Sequence, residues 1–230
     1  MRPVVASQNV FAGLKRLTCA TLPALALFAN NAHAQSYPAK PIRIVVGFAP
    51  GGPTDIYARL IGQKLTAAWG QPIIVDARPG ASGNIGADVV AKSPPDGYTL
   101  MVPSFSIAVN PSIYRKLPYD AVNDFTPITN VCALDAFILA VNAAVPAQTV
   151  QELIALGRKP GSKLAYGSPG IGNTIHLAGA LFAARAKTNM VHVPYKGGGP
   201  AVAALLGGEI QAMFANTNLA LRSEERRVGK

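Results

Sequence analysis

The chain has 230 residues, 50% of them hydrophobic, and a formal net charge of +10 at pH 7. Its lysines and arginines are scattered along the sequence, whereas nucleic-acid-binding domains concentrate them on one face, often among stacking aromatic residues. This pattern excludes a nucleic-acid-binding protein, and a mildly basic surface suits a small anionic ligand instead.

The first 34 residues have the organisation of a cleavable secretory signal. Three basic residues precede an apolar run over 17–29 that is too short to span a bilayer, and Ala32-His33-Ala34 forms an A-x-A cleavage signal. We expect cleavage after Ala34. Removing residues 1–34 of the 230, with their three basic charges, leaves 196 residues and a net charge of +7. That length corresponds to one large domain or two small ones.

Strands that alternate with helices predict a parallel α/β sheet with crossover connections. The first strand, 42–46, ends in a glycine loop at 47–55, and Pro53 suits the first turn of the helix that follows. The residues at helical spacing predict the buried stripe of that helix: Ile56, Leu60, Ile61, Leu65 and Trp69. Further strands are predicted at 73–75, 98–102, 137–141, 163–167, 191–193 and 210–214. Further helices are predicted at 85–92, at the capping box Thr149-Val150-Gln151-Glu152, from residue 175 onward, and after the loop at 194–200 with its end at residue 206.

The arrangement of strand, glycine loop and helix occurs three times, near 47–55, 167–174 and 194–200. The start of a helix presents unpaired backbone N–H groups, which suit an anion. Each loop taken alone is as consistent with a plain tight turn as with a ligand contact. Three of them on one topology favour a ligand in a cleft between two α/β lobes.

The motifs of other functional classes are missing from the sequence. It contains no G-x-G-x-x-G after the first strand, no G-x-x-x-x-G-K-[ST] and no G-x-S-x-G, so no cofactor is expected. His176 and His192 have no cysteine or carboxylate at ligand spacing, so no metal site is expected. Cys132 is alone after signal cleavage and lies in an apolar run, and we expect a buried, unreactive thiol.

Four residues near the loops have alternative interpretations. Asp55, in a first helical turn, is interpreted as complementing the helix dipole rather than as a catalytic carboxylate. His176 either orients the neighbouring glycine loop or meets an anion. His192 alternates with two valines, which is typical of a strand residue with a hydrogen-bond partner. Lys196 is either exposed to solvent or directed into the cleft.

Several long motifs resemble the solute receptors of tripartite tricarboxylate transporters, the Bordetella uptake gene family. In order along the chain they are Tyr37-Pro38-x-Lys40-Pro41-Ile42, Gly47-Phe48-x-Pro50-Gly51-Gly52-Pro53-Thr54-Asp55, Arg78-Pro79-Gly80-Ala81-Ser82-Gly83-Asn84-Ile85-Gly86, Pro95-Asp96-Gly97-Tyr98-Thr99-Leu100 and Val191-His192-Val193-Pro194-Tyr195-Lys196-Gly197. The resemblance runs from Tyr37 to Leu221. It implies a two-lobed α/β periplasmic binding protein of the type II kind, with lobe 1 at 35–141 and lobe 2 at 142–221.

The resemblance also implies a function. Such a receptor is a non-enzymatic monomer that closes on a small di- or tricarboxylate or aromatic acid in the periplasm and delivers it to membrane permease subunits. By position, the ligand is expected against the glycine loops and the neighbouring strand ends. These residues are Phe48, Ala49, Pro50, Gly51, Gly52, Thr54, Asp55, Ser104, Ser106, Ser168, Gly170, Gly172, Asn173, Thr174, His176, Tyr195, Lys196, Gly197, Ala215 and Asn216.

The sequence departs from the family pattern in two places. Members often carry an acidic residue where this chain has Ala215, so we expect a ligand without an ammonium group there. Members also continue beyond Leu221, so we expect an incomplete second lobe and a foreign tail at 222–230. Two other functions stay open. One is an α/β enzyme that acts on a small anion in the same cleft, against which the missing nucleophile–base pair and metal cluster argue. The other is a ligand-sensing partner of a membrane kinase.

Overall fold

The computed structural model describes residues 36–132 and 136–217. The expected signal peptide at 1–34 and the tail at 222–230 lie outside these residues. The fold and the site described below belong to one compact unit that begins at Lys40. In the described part of the chain, no helix has the length and apolar character needed to cross a membrane.

A three-stranded parallel sheet forms the first half of this unit. Its strands are β1 (Ile42–Val46), β2 (Ile73–Ala77) and β3 (Thr99–Met101), in the order β2-β1-β3. The central strand β1 is buried along most of its length, because it is paired on both edges and covered by helices. The predicted parallel sheet is confirmed here.

Three helices and one short 3-10 turn complete the first half. They are α1 (Pro53–Trp69), the 3-10 turn Ala81–Gly83, α2 (Asn84–Ala91) and α3 (Ser106–Ile113). Helix α1 begins with proline in its first turn, as predicted, and ends at Gly70 in the left-handed conformation. Helix α3 was not predicted. It carries Pro111 and no apolar stripe, so the sequence contains no helical periodicity there.

The predicted buried stripe of α1 is wrong in part, since Ile56, Ile61 and Leu65 are half-buried but the other two members are exposed. Leu60 and Trp69 are 54% and 41% exposed, whereas the buried residues are Asp55, Ala58 and Gly62. Small residues allow the helix to lie close to the sheet: a Cβ added at Gly62 would lie 3.1 Å from the Ile73 side chain. The fully buried face of the helix is therefore made of small residues and Asp55.

A four-stranded mixed sheet forms the second half. Its strands are β4 (Phe137–Val141), β5 (Ala165–Ser168), β6 (Val191–Pro194) and β7 (Ala212–Asn216), in the order β4-β7-β5-β6. Strands β5, β6 and β7 are parallel, but β4 runs antiparallel to β7. The expectation of an all-parallel arrangement is therefore wrong at this edge.

The pairing of β4 also bears on the expected lobe boundary after Val141. That boundary groups β4 with the first sheet, whereas its backbone pairs with β7 over 137–141 and 212–216. A strand belongs to the sheet whose ladder satisfies its backbone groups, so β4 is part of the second half. The last strand lies two residues later than predicted, and Asn216 is within it rather than beyond it.

Three helices pack on the second sheet: α4 (Val150–Arg158), α5 (Thr174–Ala186) and α6 (Gly198–Leu206). The predicted capping box at the start of α4 is confirmed, with Thr149 and Glu152 each accepting from the other's backbone N–H. The core of this half lies between α5, α6 and the sheet. Its buried members are Ile175, Ala201, Ala204, Leu205, Ile210, Met213 and Ala215.

Candidate functional site

The two halves meet where their strands end. Strand β1 leads into the loop over 47–52, β5 leads into the loop over 169–173, and β6 leads into 195–197. A helix begins directly after each of these loops. In parallel α/β sheets, this carboxyl edge is the usual position of a ligand.

A cavity of about 640 Å³ opens between these loops, within the volume range of small-molecule sites. Residues of the first half that line it are Phe48, Gly52, Pro53, Thr54, Tyr57, Val102, Pro103, Ser104, Phe105, Ile107 and Ala108. The segment before β4 contributes Thr129, Asn130, Val131 and Cys132, and the second half contributes Phe137, Pro169, Asn173, Thr174, Ile175, Gly198 and Asn216.

The electrostatics of this cavity come from the backbone. None of the described residues that line it has a charged side chain. Instead, lining residues belong to the first turns or N-caps of four helices, α1, α3, α5 and α6. Helix N-termini carry partial positive charge and unpaired N–H groups, so the cavity is suited to an anion without presenting a cation.

Seven of the twenty residues predicted from the sequence line the cavity: Phe48, Gly52, Thr54, Ser104, Asn173, Thr174 and Asn216. The other thirteen are not among the lining residues, and several of them make contacts that join or orient the loops beside the cavity. These thirteen are Ala49, Pro50, Gly51, Asp55, Ser106, Ser168, Gly170, Gly172, His176, Tyr195, Lys196, Gly197 and Ala215.

The first set of these contacts joins the two halves through their glycine loops. The backbone N–H of Ala49 donates to the carbonyl oxygen of Lys196 at 2.9 Å. A Cβ added at Gly197 would lie 2.9 Å from the Ala49 nitrogen, and one at Gly199 would lie 3.2 Å from the Pro50 oxygen. Residues that were predicted to touch the ligand therefore touch each other. We call this contact, formed by 49–51 and 196–199, the loop latch.

A second contact between the two halves lies around Ile171. Its carbonyl oxygen accepts from the Ser82 hydroxyl and, at 3.3 Å, from the Tyr114 hydroxyl. Glycines on either side of Ile171 permit this approach: a Cβ at Gly170 would lie 2.6 Å from the Ser82 oxygen, and one at Gly172 would lie 3.0 Å from Ile113. Both glycines have positive φ, of 142° and 87°.

The buried carboxylate of Asp55 stabilises the first glycine loop through hydrogen bonds. It is 4% exposed, and its two oxygens accept from the Gly51 N–H at 3.0 Å and the Arg59 Nε at 2.9 Å. Burial alone would raise the pKa of Asp55, but the hydrogen bonds from Arg59 and Gly51 lower that pKa below its ordinary value. The carboxylate therefore shapes the loop.

The two histidine rings pack against each other at a tilt of 41° beside the second glycine loop. Their ring centroids lie 4.1 Å apart. His176 Nδ1 accepts from the Gly172 N–H at 3.2 Å, so this residue orients the loop, as one of its two predicted alternatives states. His192 Nε2 lies 2.7 Å from the Ser168 hydroxyl, which confirms the predicted strand residue with a hydrogen-bond partner.

Burial also determines the protonation of this pair. Burial lowers the pKa of His176. Burial, followed by the charge of His176, lowers the pKa of His192 to about 4. Ser168 is 0% exposed and does not line the cavity, so the Ser168–His192 contact does not present a nucleophile to a bound molecule.

Two further expectations are corrected by the structure. Cys132 is exposed and lines the cavity, because the segment before β4 runs along the cavity wall instead of entering the core. Ala215 is 2% exposed and lies in the core of the second half, where a side chain does not reach the cavity. The inference about an ammonium group, which rested on Ala215, therefore has no support in this geometry.

Ser106 is likewise a structural residue. It is 1% exposed and its hydroxyl meets that of Ser104, which does line the cavity. Beside it, Asn84 Oδ1 accepts from Asn110 Nδ2 and from the Tyr119 hydroxyl, both at 2.5 Å. This buried polar network fixes the start of α2 to α3. No group of three or more His, Cys, Asp or Glu residues suited to a metal ion occurs among the described residues.

Apart from Phe48, the sequence interpretation missed the aromatic lining residues and the large apolar ones. Tyr57 is on the predicted first helix but was not singled out, and Phe105 and Ile107 belong to the unpredicted α3. The signal available for Phe105 was its place between two serines at a strand end. Phe137 follows the segment at 129–132, whose course along the wall has no local signature.

Comparison with known proteins places this geometry in context. The model of the tripartite tricarboxylate transporter family receptor matches residues 57–226. A protein from the tcbD–tcbE intergenic region of Pseudomonas sp. (strain P51) is 39% identical over 194 residues, which are 83% of this chain and 57% of that protein.

Two solved structures are also similar. One, described as a periplasmic transporter, is 44% identical, with a TM-score of 0.76 over 81% of this chain and 63% of the other. The R. palustris protein Rpa4515, solved with adipate, is 35% identical, with a TM-score of 0.75 over 83% of this chain and 64% of the other. The chain thus spans less than two thirds of the length of each of these proteins.

Proposed function

Since this chain belongs to the tripartite tricarboxylate transporter receptor family, we propose that it is a periplasmic solute receptor that binds a small carboxylate between its two halves and delivers it to membrane permease subunits. The observation that carries the proposal is the convergence of four helix N-termini on one cavity without a charged lining side chain among the described residues. That arrangement favours a small anion.

The binding energy has to come from several weak donors. One helix N-terminus stabilises an anion by about 0.3–2 kcal/mol, whereas micromolar binding requires about 8 kcal/mol net. Hydrogen bonds to a charged group contribute about 1.5–3 kcal/mol each. The side chains of Thr54, Ser104, Asn173 and Thr174, together with backbone N–H groups at Gly52 and Gly198, form a sufficient set of donors at the lining.

We further propose that the two halves are the two lobes of the receptor, with the boundary in the segment before β4 rather than after Val141. Closure then brings the loops over 49–51 and 196–199 together, and the cavity forms as they meet. Hydrolysis, transfer or other chemistry has no supporting arrangement at the described lining, because the buried Ser168–His192 contact lies outside it.

Native mass spectrometry of the purified receptor tests the binding function. The expected result is a mass difference between the native and denatured protein that corresponds to a small carboxylic acid. Absence of a bound acid, together with no heat of binding for benzoate, adipate or citrate in calorimetry, would refute the proposal. Turnover of a bound acid would support an enzyme instead.

A pair of variants makes the test specific to the cavity. Thr174→Val removes one lining hydroxyl while keeping the shape of the side chain, and is expected to weaken carboxylate binding by about 10- to 100-fold, since it removes a hydrogen bond to a charged group. Thr66→Val makes the same change on the exposed surface of α1 and should leave binding unchanged. Equal affinities of the two variants would contradict the placement of the ligand.

Delivery to a transporter requires a test in cells. Deletion of the receptor is expected to abolish uptake of the bound acid and not only the induction of its genes. Loss of induction with uptake intact would identify a sensory partner of a membrane kinase instead.

A further inference from the structure

The cavity has an apolar component that a carboxylate alone does not explain. Three of its lining side chains are large, apolar and substantially exposed: Phe105 is 61% exposed, Val131 41% and Phe137 39%. They come from three separate segments of the chain, namely the start of α3, the segment before β4, and β4 itself. Exposed apolar groups that surround one cavity are typical of an interaction surface, ligand-binding grooves among them.

Phe105 is the clearest of these exposed side chains, because the structure of helix α3 does not require a phenylalanine at that position. It occupies the N-cap of α3 and makes no side-chain cap. Serine, threonine, aspartate and asparagine are preferred at that position, since their oxygens accept from the first N–H groups of the helix. The ring of Phe105 neither caps the helix nor lies in the core, and it lines the cavity.

Phe137 places a second ring beside a polar group. It lies directly opposite Asn216 in the antiparallel ladder of β4 and β7, and both residues line the cavity. Directly opposed residues in such a ladder have neighbouring side chains on the same face. Phe48 and Tyr57 add aromatic lining from the first half.

The polar lining limits the charge of the ligand. All polar side chains among the described lining residues are neutral, and four helix N-termini supply backbone N–H groups with partial positive charge at the lining. One carboxylate is satisfied by such donors, whereas a second or third carboxylate would find no cationic side chain among the described lining residues.

From these observations we propose that the ligand is an aromatic monocarboxylate, whose carboxylate lies at the helix N-termini and whose ring packs against Phe105 and Phe137. This inference rests on the proposed carboxylate-receptor function and names the substrate class of the same cavity. Phe105 and Phe137 are then specificity-determining residues, because aromatic contacts favour a flat ring over a flexible or hydroxylated chain.

Calorimetry of the purified receptor with benzoate, adipate and citrate tests this proposal. Benzoate is expected to bind at least about tenfold more tightly than adipate, and citrate to bind most weakly. Phe105→Ala and Phe105→Leu both remove the ring, and each is expected to weaken benzoate about tenfold while changing adipate much less. Leu60→Ala, a truncation at a similarly exposed apolar residue outside the cavity, is the matched control and should change neither affinity.

The outcomes separate the two proposals. Adipate or citrate binding as tightly as benzoate would overturn the aromatic monocarboxylate while leaving the carboxylate receptor intact. An equal loss of affinity for benzoate and adipate in Phe105→Ala would overturn the role of its ring. Binding of none of the three acids would overturn the proposed function and this inference with it. The thermal midpoints of the variants should match that of the parent, since Phe105 is 61% exposed.

Discussion

Replacing Gly197 with alanine tests whether the loop latch contributes to ligand binding. Gly197 has a φ of 162°, an extended conformation that any residue adopts, so the substitution introduces no backbone strain of its own. Its added Cβ would, however, lie 2.9 Å from the nitrogen and 3.2 Å from the Cβ of Ala49. The same Ala49 nitrogen donates to the Lys196 carbonyl at 2.9 Å. The methyl group therefore opposes the contact between the halves.

The size of the effect follows from these contacts. Crowding by one methyl group against backbone atoms costs about 1–3 kcal/mol, and loss of the hydrogen bond between the loops costs about 0.5–1.5 kcal/mol. Because the loops can separate and relieve the crowding, we expect the substitution to destabilise the arrangement in which the loops touch by about 2 kcal/mol. If the ligand binds only when the loops meet, its apparent Kd rises by about 30-fold.

Titration calorimetry with the preferred acid measures this change, and a thermal melt without ligand provides the reference. The melting temperature should be nearly unchanged, since the latch joins two halves that have separate cores. Gly62→Ala is the matched control: its Cβ would lie 3.1 Å from the Ile73 side chain, but within the first half, so affinity should not change. An unchanged Kd in Gly197→Ala would refute the coupling of latch and ligand.

Three further predictions concern other parts of the same unit. The pKa of His192 is lowered to about 4 by burial and then by the charge of His176, so the unfolded state binds the proton more readily. The stability that this residue contributes is fully present above about pH 6.5 and is lost as the pH falls toward about 4. The expected loss in the free energy of unfolding is about 1–3 kcal/mol, with solvent screening allowed for. Urea unfolding between pH 7 and 4 measures this loss, and a His192→Gln variant with the same pH profile would contradict the assignment. Cys132 is exposed at the cavity, so a saturating acid should slow its reaction with a thiol reagent by about tenfold, whereas equal rates would place the acid elsewhere. Gly179→Ala would put a Cβ 2.3 Å from the Tyr166 ring. It should lower the free energy of unfolding by about 1–3 kcal/mol in urea titration, although alanine has the better helix propensity. An unchanged free energy of unfolding would show that the ring can move aside.

Most of the secondary structure was predictable because its signals are local. A run of β-branched residues followed by a glycine loop identifies β1, and the Thr149–Glu152 capping box identifies α4 from four residues alone. The direction of β4 was not predictable in this way. Its sequence is that of an ordinary apolar strand, and its antiparallel pairing with β7 depends on a partner more than seventy residues later.

Helix α1 shows why an apolar stripe can mislead. Its spacing of large residues predicts a buried face, yet the sheet accepts the face of Ala58 and Gly62, which permits a closer approach. Propensity and periodicity describe the helix by itself, whereas the buried face is selected by the partner surface. Leu60 and Trp69 are exposed as a result.

The candidate site was predictable in position but not in detail. The glycine loops after the strands do lie at the cavity, because the carboxyl ends of parallel strands share one edge. Which loop residues face the cavity depends on how the two halves meet. Ala49 and Gly197 meet each other, while Cys132 reaches the cavity from a segment without a local signal.

The absence of charged side chains from the described lining has a consequence for the exchange of the ligand. An anion held by N–H, hydroxyl and amide groups has no counter-ion fixed in the protein, so its retention depends little on ionic strength, unlike that of an anion paired with an exposed arginine or lysine. Its departure likewise leaves no buried cation to be rehydrated. Under the proposed function, a membrane partner would need only to part the two loops for the acid to leave.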